Sequence, residues 1–186
     1  MTPPHEHDAA SASTVRPART SDAAEVAAIT LASWTGPYSA VLPDGALDGV
    51  AVDDLAAEWT TTLADLPTPR HLVLVALDGT RVTGYAVLAP STDPDVSGAD
   101  DLAEVVDLVV HPGHHRRGHG SRLLAAAVDV ERAAGVVELT TWVVVADEPR
   151  AEFLRAAGFA PDGAERTLDT GPGTRAAAQA RWSARL

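Results

Sequence analysis

Between Asp101 and Val130 the chain reads DLAEVVDLVVHPGHHRRGHGSRLLAAAVDV, and three patterns follow one another in it. Val105-Val106-Asp107-Leu108-Val109-Val110 is a valine-rich strand. His111-Pro112 then leads into the turn His115-Arg116-Arg117-Gly118-His119-Gly120, and an amphipathic helix starts near Ser121. A strand entering a helix N-terminus through a glycine-punctuated basic turn makes a pocket for a pyrophosphate. The first amides of a helix lack intrahelical partners and point outward with the positive end of the helix dipole. Glycine lets such a backbone approach an anion with no Cβ in the way.

The charge distribution points to the same segment. The formal net charge is −12, yet His111 to Arg122 holds three arginines, four histidines and no carboxylate. A chain of 186 residues that is 46% hydrophobic can bury one sizeable core, so residues 15–186 read as a single domain. With no cysteine, disulfides, zinc–thiolate sites, iron–sulfur clusters and thiol nucleophiles are excluded. All 14 basic residues are arginine, which removes lysine Schiff bases and lysine-dependent P-loops. No apolar run approaches the ~18 residues of a membrane span. Residues 1–14 lack the basic start and apolar centre of a signal peptide, and read as a disordered tail on a cytoplasmic protein. The acidic balance argues against nucleic acid as a partner and fits a cationic acceptor.

Outward from the central stretch, the elements follow in order. Val15 to Ala18 is a short strand, and a helix opens at Thr20-Ser21-Asp22 with Asp22 and Glu25 spaced as a capping box. Its apolar face holds Val26, Ile29 and Trp34. Turn residues from Gly36 to Gly45 precede a second helix with Val52, Leu55, Trp59, Leu63 and Leu66 at helical spacing. The strands 71–77 and 81–88 flank Asp78-Gly79, a hairpin turn. A loop over 90–100 leads to the central strand. The helix after the basic turn buries Leu123, Leu124, Ala127, Val128 and Val130, and Gly135 ends it. A strand over 136–144, a helix from Asp147 to Ala157, and strands over 165–169 and 180–186 around a Gly-Pro-Gly turn complete the chain. The order β-α-α-β-β-β-α-β-α-β-β predicts an α+β fold with one mixed central sheet flanked by helices.

With turn, helix and element order together, the chain resembles the GNAT acetyltransferase superfamily. That family's fingerprint, Gln/Arg-x-x-Gly-x-Gly/Ala, falls on His115 to Gly120, with His115 in the place of Gln or Arg. Its second signature, Asn-x-x-Ala followed by aromatic-Tyr and Gly-Phe, is matched in part. Phe153, Gly158 and Phe159 agree, whereas Asp147, Arg150 and Leu154 depart. Trp34, Tyr38 and Leu42-Pro43 also resemble the family pattern. The resemblance implies acetyl-CoA as donor, with its pyrophosphate on the amides of Arg117, Gly118, His119, Gly120 and Ser121. His115 and Arg116 belong to the same turn, and Asp147 and Phe153 would contact the cofactor from the second signature. The pantetheine arm would pair with Leu108, Val109 and Val110 as an added strand. The resemblance further implies that the fourth and fifth strands splay apart, often at a bulge in the fourth.

For the proton acceptor, the resemblance puts Glu104 first, since it falls where histone-acetylating members carry a catalytic Glu; the alternative is a solvating rim carboxylate. Asp107 comes second, because a carboxylate interrupting an apolar strand must be paired or face an opening. The family's acid, a tyrosine, is Leu154 here. Of the two remaining phenols, Tyr85 is a candidate catalyst or a core residue, and Tyr38, with Trp34, a candidate acceptor contact. No metal is expected: the four-residue His spacings fall on a turn broken by Pro112, and no Cys or nearby paired carboxylate completes a site. The function expected is transfer of acetyl to a small-molecule primary amine by a monomer or homodimer. The alternatives are a protein lysine or N-terminal acetyltransferase, and a catalytically weak acyl-CoA-binding sensor, which Leu154 motivates.

Overall fold

A computed structural model describes residues 13–36, 42, 45–91, 101–168 and 177–186. The strands are β1 Ser13–Pro17, β2 Leu72–Asp78, β3 Arg81–Pro90, β4 Leu102–Val110, β5 Glu138–Val144, β6 Ala160–Leu168 and β7 Ala177–Arg185. The helices are α1 Ala23–Thr35, α2 Val52–Ala64, α3 His119–Ala133 and α4 Glu148–Ala156. The order is the one read from the sequence. All seven strands form one sheet, β1-β2-β3-β4-β5-β7-β6, antiparallel except for the β4–β5 pair. One apolar cluster joins the sheet to Leu123, Leu124 and Ala127 of α3 and Ala151 and Leu154 of α4. The other joins it to Val26 and Ile29 of α1, with Trp59 of α2 packed alongside.

Several boundaries differ from the sequence reading. Ser13 and Thr14, read as tail, pair with Asp78 and Leu77, so β1 starts earlier; residues 1–12 lie outside those described. The helix expected near Ser121 starts at His119, because Gly118 takes φ +80 and turns the chain there. Val130 is 40% exposed, at the edge of the buried stripe. Leu66 lies beyond the end of α2. β6 starts at Ala160, and Pro161-Asp162-Gly163 forms an irregularity within it, with Gly163 at φ +95. Asp162 is held there by Arg181, whose Nε donates to Oδ2 at 2.6 Å. The Gly-Pro-Gly turn at 171–173 falls outside the described residues.

The expected capping pair at Asp22 and Glu25 does not form. Asp22 instead accepts from the Arg19 amide at 2.8 Å and from both Arg16 terminal nitrogens at 2.6 and 2.9 Å. Glu25 accepts from the Val82 amide at 3.2 Å. The Arg16 hydrogen bonds hold the buried Asp22 carboxyl below its usual range, and so tie β1 to the entry of α1. Such a group stabilises the fold above its unfolded pKa, and the contribution fades as pH falls through the lower folded value. Asp22→Asn is therefore expected to cost about 1.5–2 kcal/mol of unfolding free energy near neutral pH, since the Arg16 left behind is partly exposed. In urea titrations the gap from wild type should narrow below about pH 4. A gap independent of pH would remove the ion pair as its cause.

Candidate active site

The sheet opens into a notch where β4 and β5 part. They pair only at Leu102↔Glu138, Ala103↔Leu139 and Glu104↔Thr140, whereas β5 stays paired with β7 from Glu138 to Val144. The cause lies in β4. Val87 of β3 faces Asp107 and Leu88 faces Val105, so Val106 is an extra residue, half-exposed and outside the ladder. This bulge bends β4 away from β5. At its near side Thr141 donates through Oγ1 to the Val105 carbonyl at 2.8 Å. Beyond it, the carbonyls of Leu108 and Val110 accept from the side chains of Arg150 at 2.9 Å and His115 at 2.8 Å. Arg150 thus reaches across the gap from the first turn of α4.

The bulge also decides which face the carboxylates occupy. Ala103 and Val105 point into the α3–α4 core, so Glu104 between them points to the α1–α2 face. In an unbroken strand Asp107, three residues on, would point the other way. The extra residue returns it to the α1–α2 face, where Tyr85 donates to its Oδ2 at 3.1 Å. Tyr85 also lies 3.0 Å from Thr30 Oγ1, whose own proton goes to the Val26 carbonyl at 2.9 Å. Burial pushes the Asp107 carboxyl above its usual range, partly offset by the charge of Arg150 and by hydrogen bonds from Tyr85 and the Leu108 amide.

Asp107 and Tyr85 line a cavity of about 270 Å³ together with Thr30, Trp34, Leu55, Glu58, Trp59 and Thr62. Of the expected site residues, Trp34, Tyr85 and Asp107 come together here. Glu104 is half-buried nearby but is not among the lining residues. Tyr38 lies outside the described residues. Glu58, Trp59 and Thr62 were not singled out for the site in the sequence. Trp59 packs edge-on against Tyr85 at 5.2 Å between centroids, and its place on the α2 stripe reads as core in sequence alone.

At the end of β4, the turn has the shape of an anion cradle. Arg116 at φ +62 and Gly118 at φ +80 are left-handed and flank Arg117, an alternation of the kind that can turn successive amides toward one anion. Arg116, Arg117, Gly118 and Ser121 are exposed. Arg122 donates through Nη2 to the Arg117 carbonyl at 2.9 Å, and its Nε is buried with no partner, an orphaned donor beside the cradle. A Cβ on Gly120 would sit 3.7 Å from the Phe153 ring and from Val110, in ordinary van der Waals contact with both. Phe153 also lines a groove of about 340 Å³ between α3 and α4 with Ser121, Leu124, Val128 and Ala157.

Other expected contacts take structural roles. Asp147 caps α4, accepting from the Arg150 amide at 3.1 Å. Val109 packs in the α1–α2 core, Leu154 is buried, and the His119 ring is 3% exposed and turned inward, leaving only its backbone for the cradle. Among the described residues, no helix is long and apolar enough to cross a membrane.

The fold has many counterparts. The fold matches yncA from Salmonella typhimurium, solved with acetyl-CoA, at TM-score 0.70 and 22% identity over 94% of each chain. It matches an N-acetyltransferase from Staphylococcus aureus at TM-score 0.72 and 15% identity, over 94% of this chain and 99% of that one. By sequence, it is 44% identical over 75 residues to a protein named mycothiol acetyltransferase from Kineococcus radiotolerans, covering 40% of this chain and 22% of that protein. The one from Thermomonospora curvata is 37% identical over 108 residues, 58% of this chain and 33% of that protein. The chain therefore spans a third or less of the length of these curated relatives. The model of the acetyltransferase (GNAT) family matches residues 37–159, most of the chain and both halves of the notch. The splayed strands, the cradle that follows them and this match lead to one conclusion: the chain belongs to the GNAT acetyltransferase family.

Proposed function

We propose that this chain transfers acetyl from acetyl-CoA to a primary amine of a small, cationic molecule, by direct attack of the amine on the thioester. The observation that carries the reading is the cavity beside the notch, where two carboxylates (Asp107, Glu58) and two indoles (Trp34, Trp59) meet. Carboxylates and aromatic faces attract an ammonium, and the indoles keep water from it. The cradle from Arg116 to Ser121 would hold the donor's pyrophosphate, and its extended arm would take the Leu108 and Val110 carbonyls from Arg150 and His115.

Bound there, acetyl-CoA supplies an activated acyl group. The chain's part is to bring a neutral amine to it. An alkyl ammonium has a pKa near ~10 and must lose a proton. Asp107, raised by burial and oriented by Tyr85, is the acceptor we assign, ahead of Glu104 because it lines the cavity. The backbone N–H groups of β4 beyond the bulge would meet the charge that develops on the acyl oxygen.

The test is release of free thiol from acetyl-CoA across polyamines, aminoglycosides, amino acids, mycothiol-related amines and short peptides. Turnover with a small amine supports the reading. Turnover on peptides alone would replace it with protein acetylation. Calorimetric acetyl-CoA binding without turnover on any amine would replace it with the sensor reading.

A further inference from the structure

We propose that Asp78, His114 and His119 form a binding site for a divalent transition metal of the zinc class, at the joint between the β2–β3 hairpin and the turn that opens α3. One ligand atom from each lies within 4.8 Å of the other two. Bonds of roughly 2.0 Å in a tetrahedral site put ligand atoms about 3.3 Å apart. The three must therefore close by little more than the width of a bond.

The hydrogen bonds fix how His119 would ligate. Its Nδ1 lies 3.1 Å from Thr83 Oγ1 and 3.3 Å from Ser13 Oγ. Both hydroxyl protons are already spent, on the Ala76 carbonyl at 3.2 Å and the Leu77 carbonyl at 3.0 Å. The hydroxyls can only accept, so Nδ1 carries the proton and Nε2 the lone pair. The 3.4 Å approach of Arg122 Nη2 to Nδ1 is then two donors facing, too long to outweigh the hydroxyls. A ring nitrogen donating to a fixed acceptor while the other presents its lone pair is how metal-ligating histidines are oriented. His114 stacks edge-on against His119 at 5.9 Å, and its Nδ1 is buried with no hydrogen-bond partner. A metal ion would satisfy that nitrogen. His111, stacked on the far side of His114, has its Nδ1 engaged by the Gly113 amide at 3.1 Å and is not a ligand through that atom.

Burial holds both imidazoles below their usual pKa. Arg81, Arg117 and Arg122 also face these rings, with Asp78 as the opposing charge. A hard cation such as Mg²⁺ or Ca²⁺, offered one carboxylate amid arginines, has too few oxygens to bind. Imidazole nitrogens favour Zn²⁺, Ni²⁺ or Cu²⁺. Three protein ligands leave one position for water. The reading does not depend on acetyl-CoA chemistry.

The test is calorimetric titration of ZnCl2 into the full chain after chelator treatment, with melting curves at each metal ratio. One equivalent should bind and raise the melting temperature. Asp78→Asn and His114→Gln should each weaken binding by about tenfold or more. Replacing both His5 and His7, the histidines of the N-terminal segment, should change nothing. Should a single-site variant fail to fold, the imidazole ¹⁵N spectrum of the wild type decides, since zinc must shift His114 and His119 and leave His71 unmoved. Absence of binding, binding that survives Asp78→Asn, or binding lost with His5 and His7 would each overturn the site.

Discussion

Asp107→Asn is expected to lower turnover by about 10²–10⁴-fold, the usual contribution of a positioned base, with little change in acetyl-CoA affinity. The pH dependence is the more telling readout. A base works deprotonated, so kcat/KM should fall as pH drops through the Asp107 pKa. Burial raises that pKa, which puts the acidic limb above the ordinary carboxylate range. The limb should vanish in Asp107→Asn. Tyr85→Phe removes a hydrogen bond that favours the ionised form, so its limb should move to still higher pH. Glu104→Gln should leave the limb where it is. If Glu104→Gln abolishes the limb and Asp107→Asn keeps it, the base is Glu104.

The choice between Glu104 and Asp107 shows where sequence reasoning stops. Element order was legible because periodicity changes at each boundary and Asp78-Gly79, Gly118 and Gly135 mark turns by residue type. The bulge at Val106 was not. It sits in a run of valines with no glycine or proline to announce it, and an extra residue changes no composition. Yet it opens the notch and sets both carboxylates on one face. The cavity was half legible for a related reason. Trp59 shows the spacing of a buried helical stripe, and only the distance between α2 and the sheet separates a residue that fills space from one that lines it. The Asp78–His114–His119 cluster was hidden by chain distance, since its carboxylate comes from a hairpin far upstream of the histidine-rich turn. Arg150 stands in a partly matched signature, and its reach to Leu108 depends on the gap the bulge makes.

Gly120→Leu is expected to weaken acetyl-CoA binding at least about 100-fold, equivalent to roughly 2.8 kcal/mol, while the fold is kept. A Cβ at this position meets only ordinary contacts at 3.7 Å from Phe153 and Val110. Gly120→Ala should therefore bind nearly as wild type. The further carbons of leucine would add bulk beside Phe153 and Val110, next to the turn where the proposed donor's arm and pyrophosphate would join. Gly118 makes the complementary case. At φ +80 any L side chain is strained by about 1–2 kcal/mol. Its Cβ would approach Arg122 Nη1 to 2.9 Å, the mobile end of a long side chain. Gly118→Val should accordingly shift the backbone amides out of alignment, losing affinity at some cost in melting temperature. Steric exclusion at Gly120 and amide misalignment at Gly118 differ in salt response. The first lowers affinity equally at all ionic strengths, whereas the second removes oriented dipoles and flattens the salt dependence. Calorimetry of both variants at two salt concentrations, with circular dichroism to confirm folding, separates them. Tight binding by folded Gly120→Leu would remove the pyrophosphate from this turn, and with it the placement of the donor.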